Sequence, residues 1–241
     1  MIEKAIELGF DALGFSGHAY FDFPCGWCMT KDGTKEYINE INALKKEYAG
    51  KIKIYCGTES DYFSNINPDD YDYIIGSVHY LKVNDEYLQV DSSAEKQFNA
   101  ADKYFGGSIY GYAEKYYDFI SNIVDVTKAD IIGHFDLVTK FNEGDCLFST
   151  KEKAYRNAMF GAIDKLLPYG KPFEINTGAI ARGKRNTPYP SLEAAEYINS
   201  HGGCFVVTSD CHNRDFLDYA YDMVKEMYGK LNIVRFADIL G

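Results

Sequence analysis

Short apolar runs alternate along this chain with longer segments whose apolar residues recur every three or four positions. Residues 1–8 have helical spacing, with Ile2, Ala5 and Ile6 on one face and Gly9 as a stop, and 12–15 form a short strand. A helix at 37–48 precedes a strand at 52–56, and Pro68-Asp69-Asp70 leads into another at 71–78. Residues 93–128 read as helix broken near Gly106-Gly107, ahead of a strand at 130–132. A helix at 152–167 stops at Pro168-Tyr169-Gly170 and is followed by a strand at 172–175. The last pairs are a helix at 191–200 with a strand at 204–208, then a helix at 215–227 with a weaker seventh strand at 233–236. Strands this short, separated by helices, predict parallel pairing through right-handed crossovers in an α/β fold. The pattern contains neither a linker nor an internal repeat, so 1–241 is read as a single domain.

The polar residues that end these runs carry the chemistry. Gly17-His18, Gly57-Thr58-Glu59, Ser77-Val78-His79, Gly133-His134 and Ser209-Asp210-Cys211-His212 each follow an apolar stretch. A parallel barrel gathers the ends of its strands on one face, where distant histidines and carboxylates can share a metal. Cys211 alternates to the other face of its extended segment and is read as packing. His201 sits in the last turn of a helix, where a cation meets the negative end of the dipole, and is left out of the metal set.

Composition narrows the partners. Formal net charge is −11, from 25 basic and 36 acidic residues, with no Lys/Arg stripe, which disfavours nucleic acid. No apolar run has the length of a membrane span and no signal-peptide pattern is present, so a cytoplasmic protein is expected. The six cysteines are scattered, and free thiols in a reducing compartment are the default. Cys25-Gly26-Trp27-Cys28 lacks a second such pair and lies in a loop, which argues against a redox or structural-zinc role. A thiol-based enzyme using Cys25 or Cys211 would need a paired base that the sequence does not offer.

The motifs occur in a telling order. Gly14-Phe15-Ser16-Gly17-His18, Gly57-Thr58-Glu59-Ser60-Asp61-Tyr62, Ile75-Gly76-Ser77-Val78-His79-Tyr80 and Ile132-Gly133-His134-Phe135-Asp136-Leu137 come first. Phe173-Glu174-Ile175-Asn176-Thr177-Gly178-Ala179-Ile180-Ala181-Arg182-Gly183, Pro188-Tyr189-Pro190-Ser191 and Ser209-Asp210-Cys211-His212 follow. The set closely resembles the histidinol-phosphatase branch of the polymerase-and-histidinol-phosphatase (PHP) superfamily, along nearly the whole chain. The resemblance implies a distorted, TIM-like seven-stranded (β/α) barrel with up to three divalent metals at its C-terminal face. The matching ligand positions are His18, Glu59, His79, His134, Asp210 and His212, with Glu59 bridging two metals. The donor types suit zinc, manganese or iron.

The same resemblance assigns Arg182 to phosphate; by position, Arg185 in the same Gly-rich loop and Lys140, six residues beyond His134, are further candidates, and the alternative for the two arginines is that of solvated loop residues. Asp61 and Asp136 are read either as partners that orient the neighbouring ligands or as bystanders, and Asp22 and Asp32 as loop residues. The implied activity is metal-dependent hydrolysis of a small phosphate monoester, L-histidinol phosphate in histidine biosynthesis, with Asp210 and Arg182 as catalytic groups and either Asp210 or a metal-bound water as the acid for the leaving alkoxide. The family opens on a His-x-His strand that has no counterpart before His18. The expectation is therefore an N-terminally truncated chain that holds fewer metals, leaves its barrel short of a strand and tends to associate. The rival readings are a PHP phosphoesterase of other specificity, favoured less by the aromatic loop Tyr20-Phe21-Asp22-Phe23, and a catalytically silent metal-binding remnant.

Overall fold

The structure, a computed structural model, describes residues 1–240. In chain order its elements are α1 (Ile2–Glu7), β1 (Ala12–His18), α2 (Lys31–Glu47), β2 (Lys53–Asp61), β3 (Tyr73–Ser77), β4 (Tyr80–Val83) and β5 (Glu86–Gln89). There follow α3 (Ala94–Tyr104), α4 (Ile109–Ile120), α5 (Ile123–Thr127), β6 (Ile131–Ile132), α6 (Lys153–Leu166), β7 (Phe173–Asn176) and α7 (Gly178–Ala181). The chain closes with α8 (Leu192–Ser200), β8 (Phe205–Thr208), α9 (Tyr221–Tyr228) and α10 (Phe236–Ile239).

Six strands pair in parallel in the order β1-β2-β3-β6-β7-β8, so all their carboxyl ends lie on one side. Register sets the site: His18 lies opposite Glu59, and Asp61 opposite Ser77, two residues before His79. The sheet curls without closing. Between β1 and β8, whose facing edges are unpaired with one another among the described residues, lies a cavity of about 440 Å³ bordered by Leu13, Tyr73, Val207 and Phe236.

Caps start the helices where the sequence provides them. Thr30 Oγ1 accepts from the Gly33 N–H at 3.0 Å, and Ser93 and Ser108 serve α3 and α4 in the same way. The main core lies between the sheet and the α4–α6 layer, with Tyr112, Tyr116, Tyr117, Tyr155 and Phe173 fully buried. A second cluster joins α1 and α2 to β1 and β2 through Ile2, Leu13, Ile41 and Ile54. The inner face of the sheet packs Tyr55, Tyr73, Ile75 and Val206 beneath Phe236. There the Tyr73 ring crosses Gly57, where a Cβ would meet it at 2.3 Å, and its hydroxyl donates to the Phe15 carbonyl at 3.0 Å.

Three expectations change. The helical stretch at 93–128 breaks near Gly106-Gly107 as expected, but a second break after Ile120 sets α5 apart. The strand expected at 233–236 reduces to one parallel bridge from Ile233 to Phe205, and Phe236 starts α10 instead. The antiparallel hairpin β4–β5 was not anticipated; its two-residue turn uses Asn84 at φ 54°, a conformation that Asn tolerates. No helix among the described residues is long and apolar enough to cross a membrane.

Candidate metal centre and active site

Glu59, near the end of β2 and 8% exposed, is the centre of the site. Its Oε1 lies 2.9 Å from His134 Nε2 and 3.5 Å from His79 Nε2, and its Oε2 is 3.2 Å from His18 Nδ1. Burial alone would raise the Glu59 carboxyl; the imidazoles of His18, His134 and His79 outweigh it and hold the group well below the usual carboxylate range. The His79 ring is fixed from behind, with its Nδ1 3.4 Å from Asp61 Oδ2 and 3.3 Å from Ser77 Oγ, which turns Nε2 toward Glu59. Asp61 also accepts the His79 backbone N–H. Burial opposes charge on His79, but the Asp61 hydrogen bond and Glu59 raise it to about 9. His18 is pushed down by burial and the neighbouring imidazoles despite Glu59.

The donor set fits a divalent cation. One ligand atom each from His18, Glu59 and His79 falls within a 4.8 Å cluster, and all are imidazole nitrogen or carboxylate oxygen. The arrangement of three imidazoles converging on one buried carboxylate is otherwise hard to rationalise as packing. His134, whose Nε2 points at Glu59, leaves its buried Nδ1 without a partner among the described residues.

A second cluster faces this one across a cavity of about 320 Å³. Asp210, on the loop after β8, has φ 43°, a left-handed conformation uncommon outside glycine. That loop presses on Gly178, where a Cβ would come within 2.8 Å of both the Asp210 Cβ and its carbonyl oxygen. Arg182, at the end of α7, donates through Nη2 to Asp210 Oδ2 at 2.8 Å and through Nη1 to the Asp210 carbonyl at 3.0 Å. His212 Nδ1 is 3.1 Å from Arg182 Nη1 and 3.0 Å from the same carbonyl. His18, Glu59, His79, His134, Asp210, His212 and Arg182 all line this one cavity, although Asp210 and His212 stand outside the compact His18–Glu59–His79 group.

Arg185 is the exception among the predicted site residues and stands apart from the cavity. It is 7% exposed, donates from Nη1 to Thr139 Oγ1 at 3.0 Å and to the Thr139 carbonyl at 3.1 Å, and lies 4.3 Å over the Tyr189 ring. It braces two loops and does not border the cavity. Of the two readings left open for Asp136, the structure shows no hydrogen bond to His134; its Oδ2 accepts from the Ser191 N–H at 2.8 Å. Lys140 does reach the cavity wall, paired with Asp91 at 3.0 Å. His201 stacks on Tyr197 at 4.0 Å, away from the site. The six thiols are free, and burial with the neighbouring Cys25 thiol pushes the Cys28 thiol up to about 11.

Sequence reasoning passed over Glu174, Trp27 and Asp91 as site residues. Glu174 is buried in β7, where Oε2 accepts from the His134 N–H at 2.7 Å and Oε1 from the Thr208 hydroxyl at 2.6 Å; burial raises its carboxyl. A carboxylate inside the apolar run Phe173-Glu174-Ile175 was the available signal. Trp27 and Asp91 border the cavity from loops, where no periodicity marks them.

Residues 1–178 match the PHP domain family. The histidinol-phosphatase of Bacillus subtilis is 29% identical over 248 residues, covering 93% of this chain and 90% of that protein. Among solved structures, the hisK protein of Listeria monocytogenes superposes with a TM-score of 0.78 at 21% identity, covering 92% of each chain. The histidinol phosphate phosphatase of Lactococcus lactis, in complex with zinc, L-histidinol and phosphate, gives 0.66 at 20% identity, covering 97% of this chain and 87% of that one. With a buried His/Glu centre on the carboxyl ends of a curled parallel sheet, and three quarters of its length matched, this chain belongs to the PHP domain family.

Proposed function

We propose that this protein hydrolyses phosphate monoesters in a divalent-metal-dependent reaction, with L-histidinol phosphate as its substrate and L-histidinol and phosphate as products. The observation that carries the reading is the placement of Arg182 and Asp210 across one cavity from the Glu59-centred imidazoles. The Bacillus subtilis and Lactococcus lactis proteins, by their names, support the substrate.

His18, Glu59 and His79 would hold the first cation, and His134, Asp210 and His212 supply the further donors. A bound divalent metal supplies Lewis acidity, making water nucleophilic near neutral pH and neutralising phosphate charge. Zinc, manganese or iron all suit the ligands. The guanidinium of Arg182 offers a planar fork of donors to the non-bridging phosphate oxygens, and its bond to Asp210 holds it toward the cavity. Asp61 and Glu174 keep His79 and His134 in place, so little is reorganised when charge develops. In the reaction a bond forms from water oxygen to phosphorus, the ester P–O bond breaks, and the proton lost by water ends on the departing alkoxide. We assign the transfer of that proton to Asp210, whose carboxylate borders the same cavity.

Competition among phosphate monoesters tests the substrate. With the metal-supplemented protein, L-histidinol phosphate should be turned over in preference to phenyl phosphate and glycerol phosphate. Equal turnover of all three would assign the site to a phosphoesterase of other specificity.

A further inference from the structure

The imidazoles around Glu59 are not supported alike. Asp61 stands behind the His79 ring, and Glu174 accepts the His134 N–H. Among the described residues His18 has no such carboxylate behind it, and the only polar contact of its ring is with the Glu59 that it faces. Its side chain is 26% exposed, against 7% for His79 and His134. Apart from ring contacts with Trp27 and His79, His18 is aimed through its backbone.

That backbone is pinned on both sides of the ligand. The Gly17 N–H donates to the Tyr37 hydroxyl at 3.3 Å, and the hydroxyl donates to the Gly57 carbonyl at 2.9 Å. The Gly17 carbonyl accepts from Thr58 Oγ1 at 3.0 Å, and the His18 carbonyl from the Met29 N–H at 3.1 Å. Beyond them the Ala19 N–H donates to the Glu59 carbonyl at 2.9 Å. Tyr37 is the link that crosses elements. It projects from α2, and its hydroxyl spans β1 and β2 one residue before His18 and two before Glu59. The helix itself is held by the Thr30 cap and by Ile38, Ile41 and Leu44 in the second core cluster. The fit is close: a Cβ at Gly17 would lie 3.6 Å from the Tyr37 ring and 3.3 Å from the Met29 methyl. A hydroxyl that accepts from one strand and donates to the other holds the facing N–H and C=O at a set separation.

We propose that Tyr37 is a positioning residue of the metal centre, its hydroxyl fixing the Gly17–His18 peptide against β2 and so setting His18 against Glu59 for a divalent cation. Tyr37 acts through the backbone and does not border the cavity that the ligands line. The inference rests on the metal-dependent reading above and adds to it a residue outside the ligand set.

Cobalt(II) provides the test, because its visible absorption reports both affinity and ligand geometry. Co²⁺ alone is titrated into the unaltered chain, Tyr37→Phe and Tyr73→Phe in the presence of a competing chelator. Tyr73 is the matched control: its hydroxyl also donates into the β1 backbone, at the Phe15 carbonyl, but three residues before His18. Tyr37→Phe should weaken Co²⁺ about tenfold and change its visible spectrum, whereas Tyr73→Phe should bind Co²⁺ as the unaltered chain does. Thr58→Val frees the Gly17 carbonyl and should weaken Co²⁺ in the same direction. It decides the matter if circular dichroism shows that Tyr37→Phe does not fold. Equal affinity and spectra in all variants overturn the positioning role and leave the metal-dependent reading in place. Equal weakening by Tyr37→Phe and Tyr73→Phe also overturns it, as a general loosening of the sheet. Failure of the unaltered chain to bind Co²⁺ would instead remove the metal-dependent reading itself, and the proposal with it.

Discussion

His134 Nε2 lies 2.9 Å from Glu59 Oε1, although 75 positions and the strand β3 separate them. The contact exists because parallel pairing brings the carboxyl ends of β2, β3 and β6 side by side. Glu59 is thereby the shared anion of three imidazoles, and replacing its charge should disperse them. Glu59→Gln is expected to weaken zinc or manganese binding by at least about a hundredfold, since a charged ligand is lost rather than its support. Metal content after dialysis, measured by atomic absorption, checks this; retention of the unaltered content would show that Glu59 is not a ligand.

Asp61 acts one step back from the metal. Its carboxylate accepts the His79 N–H and faces His79 Nδ1 at 3.4 Å, fixing which nitrogen points inward. Asp61→Asn should lower metal affinity or activity on the order of 10–100-fold while leaving the chain folded. A titration with a competing chelator measures the shift.

Protons and metal compete for the same ring. His79 is raised to about 9 from its ordinary 6.5, above all because the Asp61 hydrogen bond and Glu59 charge outweigh burial. In the chelated protein this shift stabilises the fold fully below pH 6.5, and the contribution is lost as pH rises through about 9. A metal takes the neutral imidazole, so its uptake at pH 7 should release protons, and its affinity should climb between pH 6.5 and 9. Calorimetry in buffers of different ionisation enthalpy counts the protons; zero release at pH 7 would contradict the assignment.

The two loop arginines should separate cleanly. Arg182→Ala removes donors from the cavity and is expected to lower kcat by about 10²–10³ with little change in unfolding midpoint. Arg182→Lys should restore little, since it cannot offer the planar fork. Arg185→Ala instead leaves Thr139 without its buried partner and should cost about 1.5–3 kcal/mol in urea unfolding. Steady-state kinetics and urea melts on the three variants check the contrast.

Much of this was legible in the sequence because strand ends in a parallel sheet carry their polar residues past an apolar run. His18, Glu59, His79, His134, Asp210 and His212 all announce themselves in that way, and all border one cavity. Arg185 shares the Gly-rich loop of Arg182, and its separate placement was not legible because the Thr139 that captures it is 46 positions away. The β4–β5 hairpin was hidden by the apolar run that precedes it, its Asn84-Asp85 turn being the only mark. Glu174 reads as an interruption of a buried strand until His134 is seen donating to it. Trp27 and Asp91 acquire meaning only when loops remote in sequence meet over the same floor.

The central claim is metal-dependent phosphate release, and the most direct test is a malachite-green assay of this chain with L-histidinol phosphate. Zinc- or manganese-supplemented protein should release phosphate, lose that activity in excess chelator, and regain it when metal is returned. Full activity in chelator, or none from folded, metal-loaded protein, would contradict the account.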